Sequence, residues 1–455
     1  MKVFGSSGVR GVANEELTPA YVLAIAQAAG SVLGTDRVAL ARDTRTTGRM
    51  LADAAASGLA SVGADVARLG VCPTPGLQAY CERTGVPGLM VTASHNPPAF
   101  NGVKLVGGEG VELTRGTLER IEERLLAEDF ATVGWADTGD TVRVDDAREA
   151  YVEELLAAVD RETVAAADLT VALDPGHGAG SLTSPRFLRA LGCDVVTVNA
   201  QPDGHFPGRN PEPVAENLVD LGRLVRTTDA DLGIAHDGDA DRAMFFDERG
   251  EFVPGDSALA ALAAAELDAG AYAVSAVNAS QRLVDVVEDA GASLSLTPIG
   301  STHIITRARE LQDDGESVAI AGEGNGGILF PNHRLARDGA YTAARFLELV
   351  ADRPASEVVA PYDDYQLVRT NVEYETDDER HRLLETIERV ARDADAALDT
   401  TDGYRLDYGD SWVLARPSGT EPVVRVYAES ADPERAATLL DEMRSAMLRA
   451  VDGSD

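Results

Sequence analysis

Three segments of the chain read alike when laid over one another, and that repetition narrows the possible folds more than any bulk property. The first runs from an apolar stretch, Val38 to Ala41, through Arg42-Asp43-Thr44-Arg45 and an apolar-periodic helix to a second strand opening at Gly63-Ala64-Asp65-Val66. The second runs from Leu169 to Leu173 into Asp174-Pro175-Gly176-His177-Gly178, a helix, and Gly192-Cys193-Asp194-Val195. The third runs from Ala273 to Val277 into Asn278-Ala279-Ser280, a helix, and Gly291-Ala292-Ser293-Leu294. Each is a βαβ unit with a glycine closing its helix. Each is followed by one more short apolar strand that stops at a polar loop: Gly88 to Val91 at Thr92, Leu232 to Ala235 at His236, and Val318 to Ala321 at Gly322. A parallel α/β sheet repeated three times follows. Because ligands of open parallel sheets bind beyond the carboxyl ends of the strands, the three equivalent loops should line one shared cleft.

After Pro354 the pattern changes. A strand-like stretch (Tyr365 to Glu375), a charged helix (Asp377 to Leu398), strands around Trp412 to Ala415 and Val423 to Ala428, and a final helix (Pro433 to Ala450) read as an α+β module. The expected fold class is α/β, with three similar parallel-type α/β domains plus a C-terminal α+β domain around a central cleft. Expected boundaries are residues 1–145, 146–247, 248–353 and 354–455, with joints at the acidic stretches 134–148 and 351–356. A chain of 455 residues holds roughly three domains of about 150 residues, or four smaller ones.

The formal charge of −36 argues against nucleic acid and anionic membranes as partners, since no basic patch is evident to displace counterions from phosphates. Only Lys2 and Lys104 remain of the lysines, against thirty-eight arginines. Acid excess with lysine depletion is the pattern of a halophile protein that stays hydrated in concentrated salt; an acidic, GC-biased genome is the plainer alternative. Cys72, Cys81 and Cys193 have neither CxxC nor CxxH spacing, so neither a disulfide framework nor a zinc site is indicated. The N-terminus lacks the apolar stretch of a signal peptide, and the alanine-rich segments are too short or too charged to span a bilayer, so a cytoplasmic location is expected.

Four loops carry the chemistry. Ser94, in Thr92-Ala93-Ser94-His95-Asn96-Pro97-Pro98, ends a buried-type strand, and the surviving Lys104 follows ten positions later. A helix N-cap is the common use of such a serine, but two prolines argue against a helix there. Without a Gly-x-Ser-x-Gly elbow it does not read as an acyl-transfer nucleophile. Asp237-Gly238-Asp239-Ala240-Asp241-Arg242 sets carboxylates at i, i+2 and i+4, a set of oxygens that suits a hard divalent cation such as Mg²⁺. An EF-hand is disfavoured because Arg242 replaces the turn glycine; a plain acidic surface loop is the other reading. A serine beside such a cation suits phosphoryl transfer. Gly322-Glu323-Gly324-Asn325-Gly326-Gly327 has GxGxxG spacing, yet Ile328-Leu329-Phe330-Pro331 follows where a dinucleotide site needs a helix. Glu323 and Asn325 suit vicinal hydroxyls, and a glycine-rich turn is the alternative. Arg416-Pro417-Ser418-Gly419-Thr420-Glu421-Pro422 joins an arginine, two hydroxyls and glycine-freed N–H groups into a phosphate nest, with Arg425 as a second guanidinium.

In this order the four loops resemble those of the α-D-phosphohexomutase superfamily, and the resemblance covers the whole chain. Phe4-Gly5-Ser6-Ser7-Gly8-Val9-Arg10-Gly11 is similar to the family's N-terminal signature, and Phe206 to Pro213 to another family segment. The resemblance implies that Ser94 carries a phosphoryl group and passes it to a sugar monophosphate. The bisphosphate so formed turns end for end and returns the other phosphate. It implies one Mg²⁺ per chain on Ser94, Asp237, Asp239 and Asp241, with hexose 1,6-bisphosphate as activator. Ser94, Lys104, Arg242 and His95 are the expected catalytic residues. Arg10, Thr297, Gly300, His303, Glu323, Asn325, Arg416, Ser418, Gly419, Thr420 and Arg425 are expected to bind substrate. Many bacterial members end the sugar loop in serine-glycine-histidine, whereas this chain has Asn325-Gly326-Gly327, a form similar to archaeal members. With that histidine missing, Lys104 is expected to be the general acid/base, its pKa lowered by Arg242 and burial, with His303 a second candidate. The implied partner is a small phosphosugar, glucosamine phosphate ahead of mannose or glucose phosphates, bound by a monomer or homodimer. A metal-dependent sugar phosphatase and a non-catalytic sugar-phosphate sensor are the alternatives.

Overall fold

The structure, a computed structural model, describes residues 4, 5, 8–418 and 421–451. Local signals set the helices. Pro19–Leu33 begins at Thr18, whose side chain accepts from the Tyr21 N–H; Pro19 opens its first turn and Gly34 closes it at φ 56°. Its inward stripe, Val22, Ile25, Ala26 and Ala29, recurs at three- and four-residue intervals and is fully buried.

Among the described residues the strands make four sheets. In the first the order is Val9–Val12, Phe100–Val106, Gly88–Val91, Arg37–Arg42, Asp65–Val71, Thr141–Arg143. In the second it is Phe252–Val253, Met244–Phe246, Leu232–Ala235, Thr170–Asp174, Asp194–Thr197. In the third it is Ser293–Thr297, Tyr272–Ala276, Val318–Gly322, Ile328–Phe330, Arg334–Arg337. The three expected βαβ units are present, each with its third strand parallel to the first. The sheets are not purely parallel, however. Each third strand turns back through its polar loop into an antiparallel neighbour, so the loop sits at a hairpin tip. Short returns of this kind need no crossover helix.

The fourth sheet, Gln366–Glu373, Val423–Ser430, Ser411–Pro417, Tyr404–Asp407, Ala397–Asp399, is wholly antiparallel and covered by the helices Asp377–Asp393 and Pro433–Val451. The first of these helices stops at Asp393 rather than Leu398. The alanine-rich tail instead turns extended at Ala394, and Leu398 pairs with Leu406 in an edge strand. Thr141–Arg143, in a stretch expected to be a joint, adds a parallel edge strand to the first sheet.

The second and third sheets share one core. Phe245 stacks on Phe346 of helix Gly339–Val350 at 4.1 Å between ring centroids, and the Tyr151 hydroxyl donates to Asp338 Oδ1 at 2.7 Å. The fourth sheet is tied to the third through Glu429. This buried carboxylate accepts from Trp412 Nε1, Ser280 Oγ, the Gln281 N–H and Arg282 Nη1, at 2.7–2.9 Å. A buried charge is tolerable where its lone pairs are so fully used.

Candidate active site

Ser94 stands three residues beyond the strand Gly88–Val91, buried, at φ +49°. A serine in that left-handed region costs about 1–3 kcal/mol, and it stays there only where its surroundings hold it. Arg45 does so. Its Nη2 donates to the Ser94 and Asn96 carbonyls and its Nη1 to those of Pro97 and Phe100, at 2.6–2.9 Å, while Nε reaches Asp43 at 3.0 Å. All five guanidinium N–H groups are thereby used. Asp43 also accepts from Thr92 Oγ1, which in turn accepts from the Ser94 N–H.

The second sheet brings the aspartates. Ser94 Oγ donates to Asp237 Oδ2 at 2.5 Å and lies 3.3 Å from His95 Nδ1. That approach needs glycine at 238, where a Cβ would come within 2.7 Å of the Ser94 carbonyl oxygen. Lys104 Nζ, from the strand Phe100–Val106, lies 2.8 Å from Asp239 Oδ2 and 3.0 Å from Asp241 Oδ2. Thr74 Oγ1 donates to Asp239 and Arg337 Nη2 to Asp241. All of these groups except the partly exposed His95 are buried.

One oxygen of each aspartate, Asp237 Oδ1, Asp239 Oδ1 and Asp241 Oδ1, is buried with no hydrogen-bond partner. Ligand atoms of the three carboxylates lie within 4.8 Å of one another. Three buried carboxylates clustered this closely, each with one oxygen free of hydrogen-bond partners, are a donor set that fits a hard divalent cation.

The charges settle unequally. Burial and the neighbouring Asp239 and Asp241 push Asp237 well above the usual carboxylate range. Burial pushes Asp239 the same way, but Lys104 and Thr74 overcome it and hold it low. Burial, Arg242 and Arg10 press His95 down to about 2, so its ring is neutral. Lys104 departs from expectation. Burial does lower its pKa, but Asp239 and Asp241 outweigh burial and raise it above the ordinary lysine value. Arg242 is not the controlling neighbour; its Nε is 3.9 Å from Asp241 Oδ1.

A cleft of about 530 Å³ adjoins this centre, lined by Arg242, Glu323, Asn325, Arg416 and Arg425 from the second, third and fourth sheets. Arg416 is paired with Asp402 at 2.9 Å and Arg425 with Glu421 at 2.6 Å, so neither guanidinium of the expected nest is free of carboxylates. Ser418 accepts from the Glu421 N–H, whereas Gly419 and Thr420 lie outside the described residues. Arg10 reaches the serine loop instead, donating to Asn96 Oδ1 at 2.5 Å. Thr297, Gly300 and the exposed His303 are not in the cleft lining; Ile299, between them in sequence, is. The cleft also takes Glu212, Asp256, Asn278 and Arg369, none of which had been singled out for a role. Arg337 and Thr74 were missed as well, because single polar residues in otherwise ordinary segments give no pattern to read.

The chain matches the four domain profiles described as phosphoglucomutase/phosphomannomutase: alpha/beta/alpha domains I, II and III over residues 1–132, 149–250 and 254–365, and the C-terminal domain over 370–446. It belongs to the phosphoglucomutase/phosphomannomutase family. Within that family it is 41% identical to the phosphoglucomutase/phosphomannomutase of Thermococcus kodakarensis, covering 97% of each chain. It is 36% identical to the phosphoglucosamine/phosphogalactosamine mutase of Sulfurisphaera tokodaii, over 97% of this chain and 98% of that one. Its fold superposes on a crystal structure of a phosphoglucomutase/phosphomannomutase family protein from Burkholderia thailandensis. The TM-score is 0.85 at 28% identity, over 98% of this chain and 97% of that one. Family membership makes this chain a phosphohexomutase, an isomerase, and leaves the phosphatase and sensor readings without support. No helix among the described residues is long and apolar enough to cross a membrane.

Proposed function

We propose that this phosphohexomutase works through Ser94, interconverting hexose 6-phosphates and 1-phosphates with glucosamine phosphate as the preferred substrate. In the first half-reaction a sugar hydroxyl oxygen bonds to the phosphorus carried by Ser94 as the bond from phosphorus to Ser94 Oγ breaks. The sugar hydroxyl gives up its proton and Ser94 Oγ takes one up, so Ser94 is left as a free hydroxyl beside a bisphosphorylated sugar. After that sugar turns over in the cleft, its other phosphoryl group returns to Ser94. The observation that carries this reading is the buried Ser94 Oγ held against Asp237, next to three carboxylate oxygens without partners. A divalent cation, Mg²⁺, held by Asp237, Asp239 and Asp241 supplies charge neutralisation on the group in transfer. Lys104 and Arg337 keep Asp239 and Asp241 ionised. Arg242, Arg416 and Arg425 offer guanidinium forks to the phosphates, and Glu323 and Asn325 accept from or donate to ring hydroxyls in either orientation.

The test is a mutase assay with Mg²⁺ and a trace of hexose 1,6-bisphosphate on glucosamine, mannose and glucose 1-phosphates. Glucosamine 1-phosphate is expected to give the highest kcat/KM, by about tenfold. Conversion of none of the three would defeat the reading, and release of inorganic phosphate as fast as isomerisation would turn it into hydrolysis.

The metal assignment predicts a pH effect on stability. With no cation, Asp237 has its folded pKa above its unfolded value, so the folded state holds an extra proton between the two. Stability therefore falls as pH rises from about 4 toward the raised folded value. Above that value no proton has to be displaced by a cation. Mg²⁺ should raise the Tm more at pH 8.5 than at pH 6, in thermal scans with and without a chelator. An equal shift at both pH values would contradict the assignment.

A further inference from the structure

We infer that the first domain, at its border with the second, carries a second anion site, separate from the cleft, built to take a compact phosphate-bearing polyanion of the pyrophosphate or sugar-bisphosphate kind. A cavity of about 540 Å³ lies at the carboxyl ends of Arg37–Arg42 and Asp65–Val71, adjacent parallel strands in which Arg42 pairs in register with Val71. Five arginines line it: Arg42, Arg49, Arg68, Arg143 and Arg148. In a chain of formal charge −36, such convergence runs against the composition.

It also runs against local energetics. Arg68 and Arg143 are register partners on adjacent strands, where like charges directly opposite one another are destabilising. Arg49 is the second residue of helix Gly48–Ser61, whose first turn has no acid and whose N-cap makes no side-chain bond. A cation there opposes the helix dipole, which favours anions. Arg148 is also second in its helix, Ala147–Ala158, although there Glu149 supplies an acid in the same first turn.

Carboxylates neutralise only part of the cluster, Asp145 being the one acid in the lining. Asp53 pairs with Arg68 and Asp145 with Arg143. Among the described residues, Arg42, Arg49 and Arg148 form no ion pair. Arg42 donates to the Asp43 carbonyl and Arg148 to that of Val71, and Arg68 Nε is buried with no partner at all. Burial lowers the Arg42 pKa; Asp43 and Asp53 oppose that and Arg49 adds to it, the balance lying below the ordinary value.

The lining selects the ligand class. No aromatic ring faces the cavity, so nothing would stack on a base, and the side chains other than arginine are chiefly aliphatic. What remains is guanidinium forks matched to phosphate oxygens. The inner wall, Arg42, touches Asp43, the residue that anchors Arg45 and Thr92 beneath Ser94.

The experiment is calorimetric titration of the full chain with inorganic pyrophosphate, then fructose 1,6-bisphosphate, at low salt without Mg²⁺. Wild type is compared with Arg49→Gln and with the double variant Arg49→Gln/Arg148→Gln. Wild type should bind one equivalent more than the double variant. The single variant should weaken that extra site by about tenfold, with mutase kcat/KM within about twofold of wild type in both. The better of the two probes identifies whether the second phosphate sits on another phosphate or on a sugar. Equal stoichiometry and affinity in all three proteins would place all the binding in the cleft and overturn the proposal, as would the absence of any extra equivalent in wild type. Because Arg49 is exposed, the single variant keeps the comparison open if the double variant folds poorly.

Discussion

Ser94→Ala is expected to abolish interconversion, with kcat reduced by roughly 10⁴-fold or more, the scale seen when a covalent nucleophile is deleted. The substitution removes the one atom that can hold the phosphoryl group while the sugar turns. It touches little else. The loop carbonyls remain held by Arg45 and the Ser94 N–H by Thr92, because those bonds run through the backbone. The lost interaction is the hydrogen bond from Oγ to Asp237 Oδ2, about 1.5–3 kcal/mol for a bond to a charged group and less where the carboxyl holds a proton. Urea titration should therefore report a modest loss of stability beside a collapsed turnover, and intact-mass analysis should report loss of the phosphoryl group. Turnover within tenfold of wild type would mean that phosphate passes between sugars without visiting the serine.

Most of the framework was legible because it repeats. A βαβ unit has a signature of its own, and three copies in register with three polar loops leave few topologies open. The loops themselves were legible where chemistry needs several unusual residues close in sequence, as at Asp237, Asp239 and Asp241. What escaped was assembled from far apart. Arg337 meets Asp241 across ninety-six residues and Thr74 meets Asp239 across one hundred and sixty-five, and neither separation leaves a local pattern. Arg45 stood in the strand-end motif Arg42-Asp43-Thr44-Arg45, but its task depends on four carbonyls in and just after the loop that follows the neighbouring strand, remote in sequence though adjacent in the sheet. The antiparallel returns were hidden for a different reason. Phe100–Val106 and Ile328–Phe330 are short and mostly buried, and a buried strand has no alternation to reveal its direction. The alanine-rich stretch after Asp393 misled because high helix propensity is a weak prior against a neighbouring strand that needs an edge partner.

The same distance effect explains why the expected direction for Lys104 was reversed. The family resemblance put Lys104 beside Arg242 and so implied a lysine crowded by positive charge, whereas the fold sets its Nζ between two carboxylates from another domain. Lys104→Met is therefore expected to lower kcat/KM by about 10³-fold and to destabilise the fold by about 3–5 kcal/mol, because it leaves buried carboxylates with one cation fewer. Lys104→Arg should lose about 10²-fold, since a planar fork cannot replace a compact ammonium between two oxygens that Thr74 and Arg337 also approach. The pH dependence separates a fixed charge from a proton acceptor. A lysine whose folded pKa is raised contributes stability that is complete below its unfolded value of about 10.4 and is lost only as pH climbs through the folded one. Between pH 6 and 9 the wild-type kcat should thus carry no limb that disappears in Lys104→Arg. A rise of kcat with pH across that window, absent from the variant, would restore Lys104 as a base. Urea titrations at pH 7 and 9 that give the same wild-type stability loss on Lys104→Met would fix its place as the charge that keeps Asp239 and Asp241 ionised.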